Sequence, residues 1–272
     1  MKKVLVGVLV LFFLASTTAF ADDAFVPITG DDHDGEGIAV LYGDGEGEDG
    51  PVEAYFGFQF SMDFFDGNMA AIPGIALGAR QYLMTVGEAG NIHLGWSTMA
   101  SVGFITSMYW PMYNSETGQM ENTAITWDDA DYLFNIGLLL GGTARIAFSD
   151  NLGFVGDIGI AANADVATWQ THWFSIATGA HIWTDTLDLM SINMGIGANL
   201  GFQYRLQMMD RNWLIFEIGA NVAATFFRHN VITLTQEHIP TGATQEISLP
   251  AGMSPEGVTV RVAPYFLVGW RF

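Results

Sequence analysis

Three observations predict an all-β fold, a transmembrane antiparallel up-and-down β-barrel. Apolar residues recur at every second position in one segment after another. No segment of the mature chain approaches the ~20 consecutive apolar residues that a spanning helix needs. The opposite face of each segment is Gly, Asn and Ser with few charges, where a soluble β-sandwich would turn Lys, Glu and Asp to water. Successive strand side chains point to opposite sides, so each segment has one apolar and one mixed face. A secreted apolar chain without spanning helices satisfies its backbone in lipid only as a closed barrel.

Secretion is read from residues 1–21. Lys2 and Lys3 form a basic end, Val4 to Leu14 an apolar core, and Ala19-Phe20-Ala21 an A-x-A cleavage site. The mature chain is expected to begin at Asp22. It has no cysteine, which excludes a lipidated N-terminus and disulfides. Both lysines lie in the signal, so mature positive charge comes from seven arginines against 29 acids, 7 − 29 = −22. Such a balance disfavours nucleic acid as a partner and docking on an anionic membrane through basic residues.

Residues 22–50 carry two acidic, glycine-rich tracts, Asp31 to Gly37 and Asp44 to Gly50. High charge and glycine make a poor core, so this stretch reads as a periplasmic lead-in. An EF-hand register starting at Gly30 places Asp32, Asp34 and Gly35 well. It fails at Gly30 in position one and Leu41 in position twelve.

The barrel is expected over residues 51–272. Its first strand begins at Val52, with Phe56, Phe58 and Phe60 opposing Glu53, Tyr55 and Gln59. The second runs about Ile75 to Val86, and its parity is unclear around Arg80 and Gln81. The third alternates from Ile92 to Phe104, and a polar, aromatic segment with Trp110 and Trp127 follows from Thr106 to Asp131. A fourth runs from Tyr132 to Phe148, a fifth from Leu152 to Asn163, and a sixth from Phe174 to Ile182. A seventh spans Ile192 to Arg205, an eighth Leu214 to Phe226, and the last Val258 to Phe272. Single-chain barrels have even strand numbers. Val231 to Gln236, after a turn at Arg228-His229-Asn230, is the best tenth, so ten strands are expected. Eight is the alternative.

The last strand, VTVRVAPYFLVGWRF, places Phe266, Val268, Trp270 and Phe272 on one apolar face. It resembles the C-terminal insertion signal of bacterial outer-membrane β-barrels, an amphipathic strand closing on Phe. The organisation is similar to the OmpA-barrel, OmpW and opacity-protein group. The resemblance implies the outer membrane as location, with its lipid and its assembly machinery as partners.

The mixed faces place Glu53, Arg145, Asp157, Arg205, Glu217 and Arg261 in the lumen. Unpaired charges there are costly, so they should pair; Glu217 or Glu53 is the expected partner of Arg261. A charge network can constrict a pore or plug it. The first reading is a narrow porin-like channel for small solutes. The alternative is a plugged structural or surface-interaction barrel, and a lipid-modifying enzyme is third. No enzyme is expected, because no histidine has serine two positions on, and His172 and Ser175 would oppose each other. His172 and His181 are expected to oppose each other too. No residue pattern predicts a metal or cofactor. Trp96, Trp173, Trp183, Trp213 and Trp270 fall near strand ends, as in an interfacial aromatic girdle.

Overall fold

The computed structural model describes residues 52–65, 68–86, 91–114, 119–126, 130–175, 177–208, 213–249 and 258–271. The signal, the acidic lead-in, Trp127 and Phe272 lie outside the described residues. In chain order the strands are β1 (Val52–Phe65), β2 (Asn68–Val86), β3 (Ile92–Phe104), β4 (Ser107–Asn114), β5 (Gln119–Thr126), β6 (Ala130–Ala147), β7 (Leu152–Phe174), β8 (His181–Gln207), β9 (Trp213–His238), β10 (Ala243–Leu249) and β11 (Thr259–Arg271).

Eight of these close a ring in the order β1-β2-β3-β6-β7-β8-β9-β11, with β11 pairing β1 antiparallel across the seam. β4 and β5 form a separate hairpin between β3 and β6, and β10 is added to the end of β9. The expected count of ten is therefore corrected to eight. Phe174 to Ile182 is not a strand of its own: it is the tip where β7 turns into β8, closed by the Gly179 amide on the Ser175 carbonyl at 2.7 Å. Val231 to Gln236 continues β9, because Arg228, His229 and Asn230 stay paired with Asn193, Ile192 and Ser191 instead of turning. Residues 164–171 and 185–188, which lie outside the expected strands, are likewise paired strand. Removing the one false strand leaves an even number, so parity requires no extra one.

The register fixes the barrel's size. Following paired residues from Ala54 through Ala79, Thr98, Leu140, Ile160, Ile196, Ala224 and Val260 returns to β1 at Phe64, ten residues further on. A shear of ten over eight strands, at about 3.3 Å per residue and 4.8 Å between strands, gives a tilt of roughly 40° and a radius of roughly 8 Å. Such an interior is just wide enough for side chains to fill.

Glycines permit this tight curl. Gly141 of β6 faces Gly159 of β7. A Cβ on Gly141 would lie 2.0 Å from the Ile158 carbonyl oxygen, and one on Gly159 would lie 2.1 Å from that of Leu140. These inward glycines mark places where neighbouring backbones bend into each other's side-chain space.

The outward face is apolar around the ring: Phe58, Ile158, Ile196, Ile218 and Phe226 are each exposed by more than half. The ends differ. At the near end, where Val52 meets the Arg271 side of β11, β6 and β7 are joined through the short segment 148–151. At the far end β7, β8 and β9 run on to 23, 27 and 26 residues, where ~9–11 tilted residues suffice to cross a membrane. β6 pairs with β7 only as far as Trp169. Beyond it β7, β8, β9 and β10 form an open four-stranded sheet.

Candidate functional site

Alternation turns every second residue of the ring inward, and all six charged residues expected in the lumen lie there, buried. They do not form one network. Near the termini, Arg80 is the hub. Its Nε and Nη2 donate to Asp157 at 3.0 and 2.7 Å, and its Nη1 and Nη2 donate to Glu217 at 2.5 and 3.0 Å. The Tyr55 ring lies under the guanidinium at 4.8 Å. Asn199 donates to Asp157 at 3.0 Å and the Tyr265 hydroxyl to Glu217 at 2.9 Å. Glu53 pairs with Arg205 and also accepts from the hydroxyls of Tyr55 and Tyr82.

Arg145 meets no carboxylate among the described residues. Its Nε donates to Gln203 Oε1 at 2.9 Å, and that oxygen also accepts from Arg205 at 2.8 Å. The Gln203 amide in turn donates to the Tyr55 hydroxyl at 2.9 Å. Gln203 thus links the Arg145 charge to the Glu53 group. The network has three arginines, Arg80, Arg145 and Arg205, and three carboxylates, Glu53, Asp157 and Glu217. Neutrality and a near-complete set of partners are what make buried charge tolerable.

A second network lies toward the far end. Arg261 clasps Asp63 with two hydrogen bonds of 2.6 Å and gives a third, of 3.0 Å, to Asn135. Neither Glu217 nor Glu53 is its partner, because strand tilt carries Arg261 far up the wall; it sits opposite Asp63 across the β1–β11 seam. Asn135 and Asn193 both donate to Asp165, at 2.6 and 3.2 Å, and Arg228 donates to Asn193 at 2.7 Å. Arg261 and Arg228 thus face Asp63 and Asp165, again two on two.

Between the networks is a cavity of about 30 Å³ lined by Gln59, Met99, Ser101, Asn163, Asn221 and Arg261, enough for one or two waters. Above the second network Ile72, Ile105, Leu133, Ala167, Trp169, Leu189 and Ile232 pack into an apolar cap. The lumen is filled in layers: ionic, mixed with a small cavity, ionic, apolar.

Arg80, Asp63, Asp165, Gln203, Tyr55 and Tyr82 are network members that the sequence pattern does not single out. Arg80 is obscured by a β-bulge: Tyr82 pairs with Gly95 and Met84 with Leu94, leaving Leu83 as the extra residue. The bulge reverses the face of the rest of β2, so neither parity reads cleanly along the whole segment. Asp63 carries the alternation of β1 on past Phe60, with Ser61 and Asp63 set between Phe60, Met62 and Phe64, so period two does place it on the inner face.

Of the residues expected to signal insertion, Phe266 and Trp270 are exposed on the outer face. Trp96 is also exposed there, toward the near end. Trp183 lies instead at the far tip, its ring 4.5 Å from that of His238. His172 and His181 do not oppose each other. The turn between them and a register shift at Trp173/Phe174 bring their rings to 5.0 Å. Thr184 hydrogen-bonds to both, at 3.3 and 3.0 Å.

A closed ring with an apolar outer face and a filled polar interior is an outer-membrane β-barrel. Solved structures similar to the chain include Ail, the attachment invasion locus protein of Yersinia pestis, at 10% identity and a TM-score of 0.40 over 83% of this chain and 100% of that one. A major outer membrane protein of Thermus thermophilus is similar at 15% identity and a TM-score of 0.41 over 80% and 99%. No family model and no curated protein matches the chain. The assignment rests on the ring, its shear and its outer face.

Proposed function

We propose that this protein is a plugged, non-enzymatic outer-membrane barrel that displays its projecting sheet to the surroundings. One observation carries this reading: two neutral side-chain networks and an apolar cap occupy the lumen, with a cavity of about 30 Å³ between the networks. A ring of shear ten cannot widen without re-registering its strands. The inward glycines Gly141 and Gly159 are accounted for by strand curvature. The three longest strands meanwhile invest their extra length beyond the ring.

The narrow porin-like channel is the second reading, favoured by the cavity, where Gln59 Oε1 has no hydrogen-bond partner. Planar-bilayer recording separates the two. The refolded full-length protein is expected to leave bilayers silent at high protein concentration. Regular unitary steps that change size in Glu217→Ala would overturn the plugged reading and establish the channel.

A further inference from the structure

Hydropathy on the outward face changes twice toward the far end. The last apolar row crosses three strands, with Val166 of β7 beside Met190 of β8 and Met190 beside Val231 of β9. The next three rows, from Thr168, Asp188 and Thr233 to His172, Thr184 and Glu237, hold only Thr, Asp, Gln, His and Glu. Apolar side chains then return at the top of the sheet. Phe174 is 60% exposed, Trp183 41% and Ile239 39%. Eight residue steps, 174 − 166, separate Val166 from Phe174. At about 3.3 Å per residue and the ring's tilt of roughly 40°, they rise roughly 20 Å.

The β7–β8 and β9–β10 tips form one apex. The Ile239 amide donates to the Ile182 carbonyl at 2.9 Å, and the Trp183 ring lies 4.5 Å from that of His238. Apolar groups flank both faces of this apex. Thr184 hydrogen-bonds to His172 and His181, and the Phe174 ring lies 5.2 Å from that of His181, so these side chains share the outer face. Trp183, next to Thr184 in the strand, points to the other face. A protein groove is met by one face of a sheet, whereas an end wrapped in apolar groups suits end-on entry into a hydrocarbon layer. Charge agrees. Residues 172–184 and 238–243 contain no Asp, Glu, Lys or Arg, in a chain of formal charge −20. Back along each strand from the apex, the first charged residue is an acid: Asp165, Asp185, Glu237 and Glu246.

We infer that the apex docks on a second lipid bilayer, apposed to the one the barrel spans, and that this second bilayer is zwitterionic. The inference rests on the proposed display of the projecting sheet. Three polar rows separate the apex from the barrel's own apolar band, so Phe174 and Trp183 do not extend that band. Exposed Trp, Phe and Ile gain from burial at the boundary between headgroups and acyl chains. Acids behind the apex, with no Lys or Arg on it, disfavour an anionic surface. A phosphatidylcholine headgroup carries no net charge and sets no such barrier.

The chain has no cysteine, so Ala177→Cys, in the exposed turn between β7 and β8, can carry a polarity-sensitive fluorophore. The labelled barrel, inserted in a nanodisc, would be mixed with phosphatidylcholine vesicles at about pH 8, where histidine is ordinarily neutral, and floated. It is expected to co-float with the probe reading hydrocarbon. Phe174→Ser and Trp183→Ser together should weaken binding about tenfold, with gel migration before heating reporting a closed barrel. Vesicles containing phosphatidylglycerol should bind less. Failure to co-float, or a probe that reads water, overturns the inference and leaves the apex to a protein partner. Binding unchanged in the double variant, or equal on phosphatidylglycerol, also overturns it. A membrane-impermeant maleimide on intact cells separates this outcome from the display reading. Labelling at Ala177→Cys upholds display whatever the vesicles show, and absence of labelling removes both.

Discussion

Arg80 holds two buried carboxylates at once, and neither Asp157 nor Glu217 has another cation within ion-pair distance among the described residues. Arg80→Met is therefore expected to destabilise the barrel by about 3–5 kcal/mol, the cost of leaving buried charge uncompensated. Urea unfolding in vesicles measures it. Adding Asp157→Asn and Glu217→Gln should recover most of the loss, because the charges then disappear together. A smaller effect is expected from Arg261→Met, since Asp63 is partly exposed at 13%. The six lumen charges were legible in the sequence because alternation assigns a face to each residue of a regular strand. Their partners were not, since partnership depends on shear: a residue meets what lies at its own height, which is offset by ten residues around the ring.

At the level of the strand, curvature makes sharp distinctions between adjacent glycines. A Cβ on Gly141 would lie 2.0 Å from a backbone oxygen, whereas one on Gly142 meets nothing nearer than 3.8 Å. Gly141→Ala is expected to abolish the compact, heat-sensitive gel form of the refolded protein, and Gly142→Ala to leave it intact. The long strands separate function from folding in a similar way. Replacing residues 171–185, between the paired Gln170 and Thr186, with a two-residue Asn-Gly turn removes the tip of the β7–β8 hairpin but spares Trp169, Leu187 and Leu189 of the apolar cap. That variant should retain the gel shift and unfold in urea within about 1 kcal/mol of the parent, a difference typical of surface changes. Its binding to any surface partner of the parent, read by pull-down, should be lost. The strands themselves were legible as period-two runs, yet their ends were not. Phe174 to Ile182 alternates like a strand although it contains a turn, and Arg228 to Asn230 carries turn-like polarity although it stays in the ladder. In both places a bulge or register shift lies close by, and pairing with a neighbour overrides local composition.

For the molecule as a whole, the closed ring removes all strand edges from the lipid, while the projecting sheet restores two among the described residues, at β7 beyond Trp169 and at β10. The silent bilayer belongs to this scale, because it depends on the complete ring. So does the all-β class, which three properties of the sequence announce together. What the sequence does not announce is how far the ring continues past the membrane, since nothing in a period-two pattern states where lipid stops.

The seam between β1 and β11 has a consequence for how the protein is made. Its first and last strands are neighbours, and the ion pair from Arg261 to Asp63 joins residues 198 positions apart. The second network therefore cannot form until the last strand has left the ribosome and found the first. Contacts so distant in sequence make assembly slow. In the interval Asp63 is a carboxylate without its counter-ion, and the final strand is the part of the chain that supplies it. The apolar face expected to direct insertion thus sits on the same short segment that supplies Arg261 to the second network, so pairing of the last strand and completion of that network are steps of one event.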